Sequence, residues 1–231
     1  MIDAIGLDAD DTLWENETFF RKSQAGLADL LAGYADPQVI ASRLDRVERR
    51  NLARYGFGIK GFTLSMVQTA IELTDARIDG RAIARILEMG QDMLAHPVHL
   101  IAGVPEALKA LCGRRLLLIT KGDLWDQERK IAASGLADLF DAVEIVADKT
   151  PATYARLLAR HGIGPQRFLM AGNSVKSDVL PVLELRGQAV LIPHDLTWAA
   201  EQAADPAAPG FHRLRSIAEL PALVARIEAG S

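Results

Sequence analysis

Four segments of this chain end an apolar run in polar residues suited to a charged, oxygen-rich substrate. They are Asp8-Ala9-Asp10-Asp11-Thr12, Thr120-Lys121-Gly122-Asp123, Asp148-Lys149-Thr150-Pro151, and Gly172-Asn173-Ser174-Val175-Lys176-Ser177-Asp178. Together they supply carboxylates, hydroxyls, cations and backbone donors. Two carboxylates one residue apart after a buried strand repel each other and are costly to desolvate, so a positive charge is expected between them. A hard divalent cation with oxygen ligands meets that need, and Mg²⁺ is the usual choice where a phosphate completes the coordination. Asp8 could then attack phosphorus as a carboxylate nucleophile, dividing a difficult displacement into two steps. Asp10 would protonate the leaving oxygen and later take a proton from water. Thr120 and Lys149 would hold the non-bridging oxygens, where transition-state charge needs stabilising. Any one of these loops alone reads more simply as an Asx turn or a helix cap. Four in order, each offering a suitable group, favour chemistry.

The elements that must position these groups follow from periodicity. IDAIGLD, residues 2–8, is a short apolar run ending in an acidic turn, as a buried strand would. From Glu15 to His96 the spacing is helical: Leu27, Leu30, Leu31 and Tyr34 share one face, and Ile83, Ile86, Leu87 and Gly90 another. Gly56, Gly58 and Gly61 mark a turn near the middle of that stretch. After Pro97 strands and helices alternate: RRLLLIT, AVEIVAD, RFLMAG and AVLIP read as strands, the last two closing the sheet. Helices separate them, one near Trp125–Ser134 and one running from an N-cap at Ser177 to Gly187. Residues 202–210 read as a loop before a final helix near Ile217–Ala229. The expected fold class is α/β: a parallel sheet core covered by helices on both faces, formed by residues 1–14 and 97–231, with a helical cap domain of residues 15–96 inserted after the first strand. Ligands of such sheets bind beyond the carboxyl ends of the strands, where the four polar segments lie.

Composition narrows the partners. The 231 residues carry 26 Lys plus Arg against 30 Asp plus Glu, a net charge of −4, with no block of like charge, so no nucleic-acid polymer is expected. No basic leader and no membrane-length apolar run is legible, so the expected location is cytoplasmic, with no membrane partner. Cys112 is the single cysteine. That rules out an intramolecular disulfide and reads as a small core residue on a helix. The scattered histidines indicate no histidine metal site.

GLDADDTLW, LLLITKGD, the Lys149 segment and AGNSVKSD resemble, in order, the four motifs of the haloacid dehalogenase-like superfamily, across the whole chain. The resemblance implies a Rossmann-like core, a C1-type helical cap and Mg²⁺ as cofactor. By that likeness Asp8 is the nucleophile and Asp10 the acid/base, while Thr120 and Lys149 bind phosphate. The implied metal site comprises Asp8, Asp10 through its backbone carbonyl, Asn173 and Asp178. Two departures stand out. Many relatives carry an acid where Asn173 stands, and an amide brings an oxygen without charge. Lys149-Thr150-Pro151 also differs from the commoner Lys-Pro form.

Rival readings are a haloacid dehalogenase, a phosphomutase and a phospho-accepting receiver module. Dehalogenases of the superfamily lack the second carboxylate, because a metal-free displacement at carbon has no use for it. A receiver has about half this length and no helical insertion; a cap that closes over a small substrate explains both. Lys121 either reaches the leaving group or pairs with Asp123. Trp14, Phe19 and Phe20 read as cap core and hinge packing. Arg43, Arg46, Arg49, Arg50 and Arg54 read as a solvated basic face. The expected partner is a small phosphorylated metabolite. The DADDTL form and ERRNLARYG look like parts of the 5′-nucleotidase-like members, which makes a nucleotide monophosphate the first choice.

Overall fold

The computed structural model describes residues 1–230. The chain forms two compact units. One comprises Met1–Glu17, Val98–Lys121 and Gln127–Ser231, and the other Thr18–Pro97 and Gly122–Asp126.

The first unit is built on a sheet of β1 (Ala4–Leu7), β2 (Arg115–Lys121), β3 (Ala142–Val146), β4 (Phe168–Gly172), β5 (Gln188–Leu191) and β6 (Phe211–Arg213). Strand order is β3-β2-β1-β4-β5-β6, and every neighbouring pair is parallel. Alternation divides the strand residues between two cores. Ile5, Leu7, Leu116, Leu118, Leu169, Ala171 and Val190 pack on one face with residues of α5 (Val104–Ala110), α6 (Leu124–Ser134) and α9 (Leu220–Ala229). Leu117, Ile119, Phe168, Met170 and Ala189 pack on the other with α7 (Pro151–Arg160) and α8 (Leu180–Glu184). Both faces are therefore dry, which is why the strands read as continuous apolar runs.

The sequence reading needs four corrections here. β6 is a sixth strand, unexpected because Phe-His-Arg shows no apolar alternation; it pairs with β5 through Ala189–Phe211, Val190–His212 and Leu191–Arg213. The helical segment after β4 is capped by Ser174, whose hydroxyl accepts from Ser177 N at 3.0 Å, and opens as a π turn over Val175–Val179. Ser177 thus lies inside that turn. Cys112 is exposed, just beyond the end of α5. The helical unit also takes in Gly122–Asp126: Lys60 Nζ reaches both Asp123 carboxylate oxygens at 2.9 and 3.1 Å and lies over the Trp125 ring.

That helical unit consists of most of α1 (Glu17–Leu30), α2 (Pro37–Tyr55), α3 (Ile59–Leu73) and α4 (Gly80–Ala95). Leu27, Leu31, Leu44, Phe62, Met66 and Ile86 form its core, with Phe19 and Phe20 packed against them. The Phe20 and Phe62 rings lie 4.8 Å apart. The arginines of α2 pair within the unit: Arg43 and Arg50 with Glu72 at 3.2 and 2.5 Å, and Arg49 with Asp45 at 2.8 Å. Among the described residues no helix is long and apolar enough to cross a membrane.

Gly6, at the centre of β1, admits no side chain. A Cβ there would lie 2.6 Å from the Phe168 ring and 2.8 Å from the Met170 sulfur. Gly6→Ala is expected to destabilise the protein by about 1–3 kcal/mol through overpacking, read as a lower midpoint in denaturant unfolding. An unchanged midpoint would show that the two sheet faces can shift to admit a methyl group.

Candidate active site

Asp8 leaves the end of β1 with its N–H on Ala171 O at 2.9 Å. One carboxylate oxygen accepts from Lys149 Nζ at 2.5 Å, the other from the Thr12 hydroxyl at 3.0 Å. The same ammonium donates to Asp178 Oδ1 at 2.7 Å, and Asp178 Oδ2 accepts from Ser174 N at 3.0 Å. All three charged groups are buried, Asp8 at 7% exposure, Lys149 at 3% and Asp178 at 1%. Lys149 is aimed by its neighbours. Thr150 caps α7, accepting from Thr153 N at 3.2 Å, and Pro151 takes the first helical position, where no donor is needed. The extra threonine in Lys-Thr-Pro is thus a helix cap, and Lys149 still reaches Asp8. Opposite, Gly172 makes room for Asp178: a Cβ there would lie 2.2 Å from Asp178 Oδ2.

Burial pushes the Asp8 carboxyl up from 3.8 to about 7, opposed by Lys149 and reinforced by Asp178. Burial favours the neutral form of Lys149, but Asp178 and Asp8 outweigh it and keep the ammonium above its ordinary range. Two buried carboxylates share one ammonium, leaving a net charge of about −1.

Asp10 is paired with Lys130, whose Nζ contacts both carboxylate oxygens at 2.7 Å, a partner the sequence did not announce. Trp14 Nε1 donates at 2.7 Å and Gln127 Nε2 at 2.8 Å. Gln127 and Lys130 lie three residues apart on α6, on one helical face. Gln127 Nε2 also donates to Lys121 O at 2.9 Å, which leaves Gln127 Oε1 buried without a partner. Trp14 is buried in the core of the sheet unit, so its role is to hold Asp10 rather than to pack the cap.

Asp11 is a structural acid. Its backbone is left-handed at φ 60°, and its carboxylate accepts from Asn16 N at 2.8 Å and Glu17 N at 3.0 Å, opening α1. Burial raises its carboxyl above the ordinary range. His194 and Glu15 stand beside it, their side chains 3.2 Å apart. Asp11, Glu15 and His194 bring potential ligand atoms within 4.8 Å of one another and could hold a metal ion, a grouping the sequence did not reveal.

Thr120 is buried at the end of β2, and Asn173 is half-buried beyond β4. The Lys121 ammonium meets Glu201 at 2.6 Å and the Ser177 hydroxyl at 2.8 Å. Asp123 is taken by Lys60. Lys130, Gln127 and Glu201 are the participants that sequence reasoning missed. The first two carried a signal, polar residues on the buried face of a helix; Glu201, in an Ala-rich stretch, carried none.

The donors around Lys149 fit a magnesium ion in kind, since Asp8 and Asp178 offer hard oxygens beside an uncompensated buried negative charge. The same excess charge yields a stability prediction. A carboxyl whose folded value is about 7 against 3.8 unfolded contributes fully below about pH 4 and loses that contribution as pH rises through 7. Asp8→Asn, which removes one carboxylate and leaves Lys149 paired with Asp178, is expected to melt about 2–4 °C above the wild type near pH 8 and level with it near pH 4. Scanning calorimetry at the two pH values checks this; a lower melting temperature near pH 8 would mean that the Asp8–Lys149 contact outweighs the desolvation of Asp8.

Comparison with known proteins places this geometry. The family model of the haloacid dehalogenase-like hydrolases matches residues 2–181. A haloacid dehalogenase-like family hydrolase from Xanthomonas campestris is similar at 45% identity and TM-score 0.89, over 99% of this chain and 93% of that one. The L-2-haloacid dehalogenase from Xanthobacter autotrophicus, with chloropropionic acid covalently bound, shares the fold at 17% identity and TM-score 0.69, over 97% and 99%. A predicted phosphoglycolate phosphatase from Haemophilus somnus does so at 15% and 0.64, over 96% and 98%. No curated protein matches. With its parallel sheet, its strand-end carboxylates and a family match over most of its length, the chain belongs to the haloacid dehalogenase-like hydrolases.

Proposed function

We propose that this hydrolase is a Mg²⁺-dependent phosphomonoesterase that acts through an aspartyl-phosphate on Asp8. The observation that carries the reading is Asp10, a second carboxylate two residues past the nucleophile, oriented by Lys130, Gln127 and Trp14. Three donors on one side chain fix a position, which a general acid/base requires. In the first step Asp8 forms an O–P bond while the ester O–P bond breaks, and Asp10 supplies the proton to the leaving oxygen. In the second, water attacks phosphorus, Asp10 takes its proton, and Asp8 departs with orthophosphate as product. Lys130 holds the Asp10 carboxylate in one position through both steps. Lys149, kept protonated by Asp8 and Asp178, and Thr120 stabilise the non-bridging oxygens. When bound beside Asp8, Asn173 and Asp178, Mg²⁺ would supply the countercharge that lets a phosphate dianion approach a net-negative site.

The substrate class is a small phosphorylated metabolite, with a nucleotide monophosphate first by the resemblance of DADDTL and ERRNLARYG. Haloacid dehalogenation is the second reading. Its support is the Lys149 ammonium between Asp8 and Asp178, a positive charge that a metal-free displacement by Asp8 could also use.

Hydrolysis of p-nitrophenyl phosphate separates the two. The wild type is expected to turn over with Mg²⁺ and to stop with chelator, and Asp8→Asn to lose at least about a thousandfold in kcat. Turnover of 2-chloropropionate without metal, and none of the aryl phosphate, would overturn the phosphatase reading. Asn173→Asp is expected to tighten apparent Mg²⁺ affinity by about three- to tenfold, because it adds charge to the oxygen. An unchanged Mg²⁺ titration would remove Asn173 from the metal site.

A further inference from the structure

Glu201 is a fully engaged carboxylate outside the proposed catalytic pair. Both of its oxygens are in use: Oε1 accepts from Lys121 Nζ at 2.6 Å, and Oε2 from the Ser174 and Ser177 hydroxyls, each at 2.5 Å. The segment that delivers it is anchored on either side. Lys176 Nζ donates to Ala200 O at 2.6 Å, and Gln202 Nε2 to Thr197 O at 2.8 Å. Burial would raise the Glu201 carboxyl, but Lys121 and the two serines hold it below its ordinary value. The carboxylate is ionised and fixed.

Its place is the rim of the site. Lys121 follows Thr120 directly, and its carbonyl accepts from the Gln127 amide that holds Asp10. Ser174 N donates to Asp178, and Ser177 precedes it. Among the charges here, ionised Asp8, Asp178 and Lys149 sum to about −1, while Asp10 with Lys130 and Glu201 with Lys121 each sum to zero. Lys121 stands where a cation could serve the leaving-group side of a substrate, yet its charge is cancelled by a residue brought from beyond β5.

We infer that Glu201 is a specificity-determining residue: by cancelling the Lys121 charge at the rim, it biases the site toward phosphate monoesters whose leaving group carries no second anionic group. The inference rests on the phosphohydrolase reading for the class of ligand. The plainer alternative is a part-exposed salt bridge that only staples two loops, which would affect all substrates alike. Removing the Glu201 charge adds one positive charge to the rim. Over several ångströms at a part-buried site, that is worth about three- to tenfold in affinity for an added anion.

The test compares the full-length wild type, Glu201→Gln, Glu201→Ala and Glu201→Asp, all with Mg²⁺. Turnover is followed with phenyl phosphate and 4-carboxyphenyl phosphate, and binding by calorimetry with phenylphosphonate and 4-carboxyphenylphosphonate. For Glu201→Gln and Glu201→Ala, KM and Kd for the carboxylated probes are expected to fall about three- to tenfold, with the neutral probes within about twofold. The gain should shrink in about 0.5 M NaCl, where charges are screened within a few ångströms, and vanish in Lys121→Met/Glu201→Gln. Glu201→Asp, which keeps the charge, should discriminate like the wild type. Equal changes for both probes, or no change for either, overturns the inference and leaves the loop staple. Absence of wild-type turnover overturns the phosphatase reading, while the binding contrast still decides the role of Glu201; binding of neither phosphonate to any variant overturns both.

Discussion

The ammonium of Lys149, buried between the carboxylates of Asp8 and Asp178, is the contact on which the rest of the site depends. It joins the ends of three separate chain segments, those following β1, β3 and β4. Breaking a buried pair by removing one partner typically costs about 3–5 kcal/mol, because the remaining charge is left uncompensated. The surrounding structure is arranged to keep the three groups together. Thr150 and Pro151 start α7 immediately after the lysine, Gly172 leaves space for Asp178, and Ser174 N occupies the second Asp178 oxygen. None of these features touches Asp8, yet each fixes either Lys149 or the Asp178 carboxylate that shares it.

Around that centre two further acids have cations of their own: Asp10 has Lys130, and Glu201 has Lys121. Those separate pairings leave the Lys149 ammonium to Asp8 and Asp178 alone, so the two buried carboxylates share one positive charge.

Much of this was legible in the sequence, and the boundary of legibility has a physical cause. Strands buried on both faces appear as apolar runs, and parallel topology puts their carboxyl ends on one edge, so the strand ends that carry Asp8, Thr120, Lys149 and Asp178 could be located. The partners of those residues could not. A lysine side chain spans several ångströms, and no spacing shows in advance that Lys130 reaches Asp10 from α6. On a helix, Gln127 and Lys130 read as ordinary polar residues until that face proves buried. Glu201 meets Lys121 across a long sequence separation, with no periodicity to announce it. β6 escaped for the opposite reason, since a three-residue edge strand is too short to show a pattern.

The stretch from Asp8 to Trp14 shows how closely chemistry and architecture are bound together. Asp8 points to Lys149, Asp10 to Lys130, and Asp11, in a left-handed conformation, turns its carboxylate onto the first N–H groups of α1. Thr12 returns a hydroxyl to Asp8, and Trp14 an indole N–H to Asp10. Three acids within four residues of one strand end would repel if they converged. The turn separates them onto different partners, and the chain continues from it directly into α1, where the helical unit begins. The conformation that keeps the carboxylates apart is therefore also the one that launches the inserted helices, so a change in this turn would alter the charge distribution of the site and the start of α1 together.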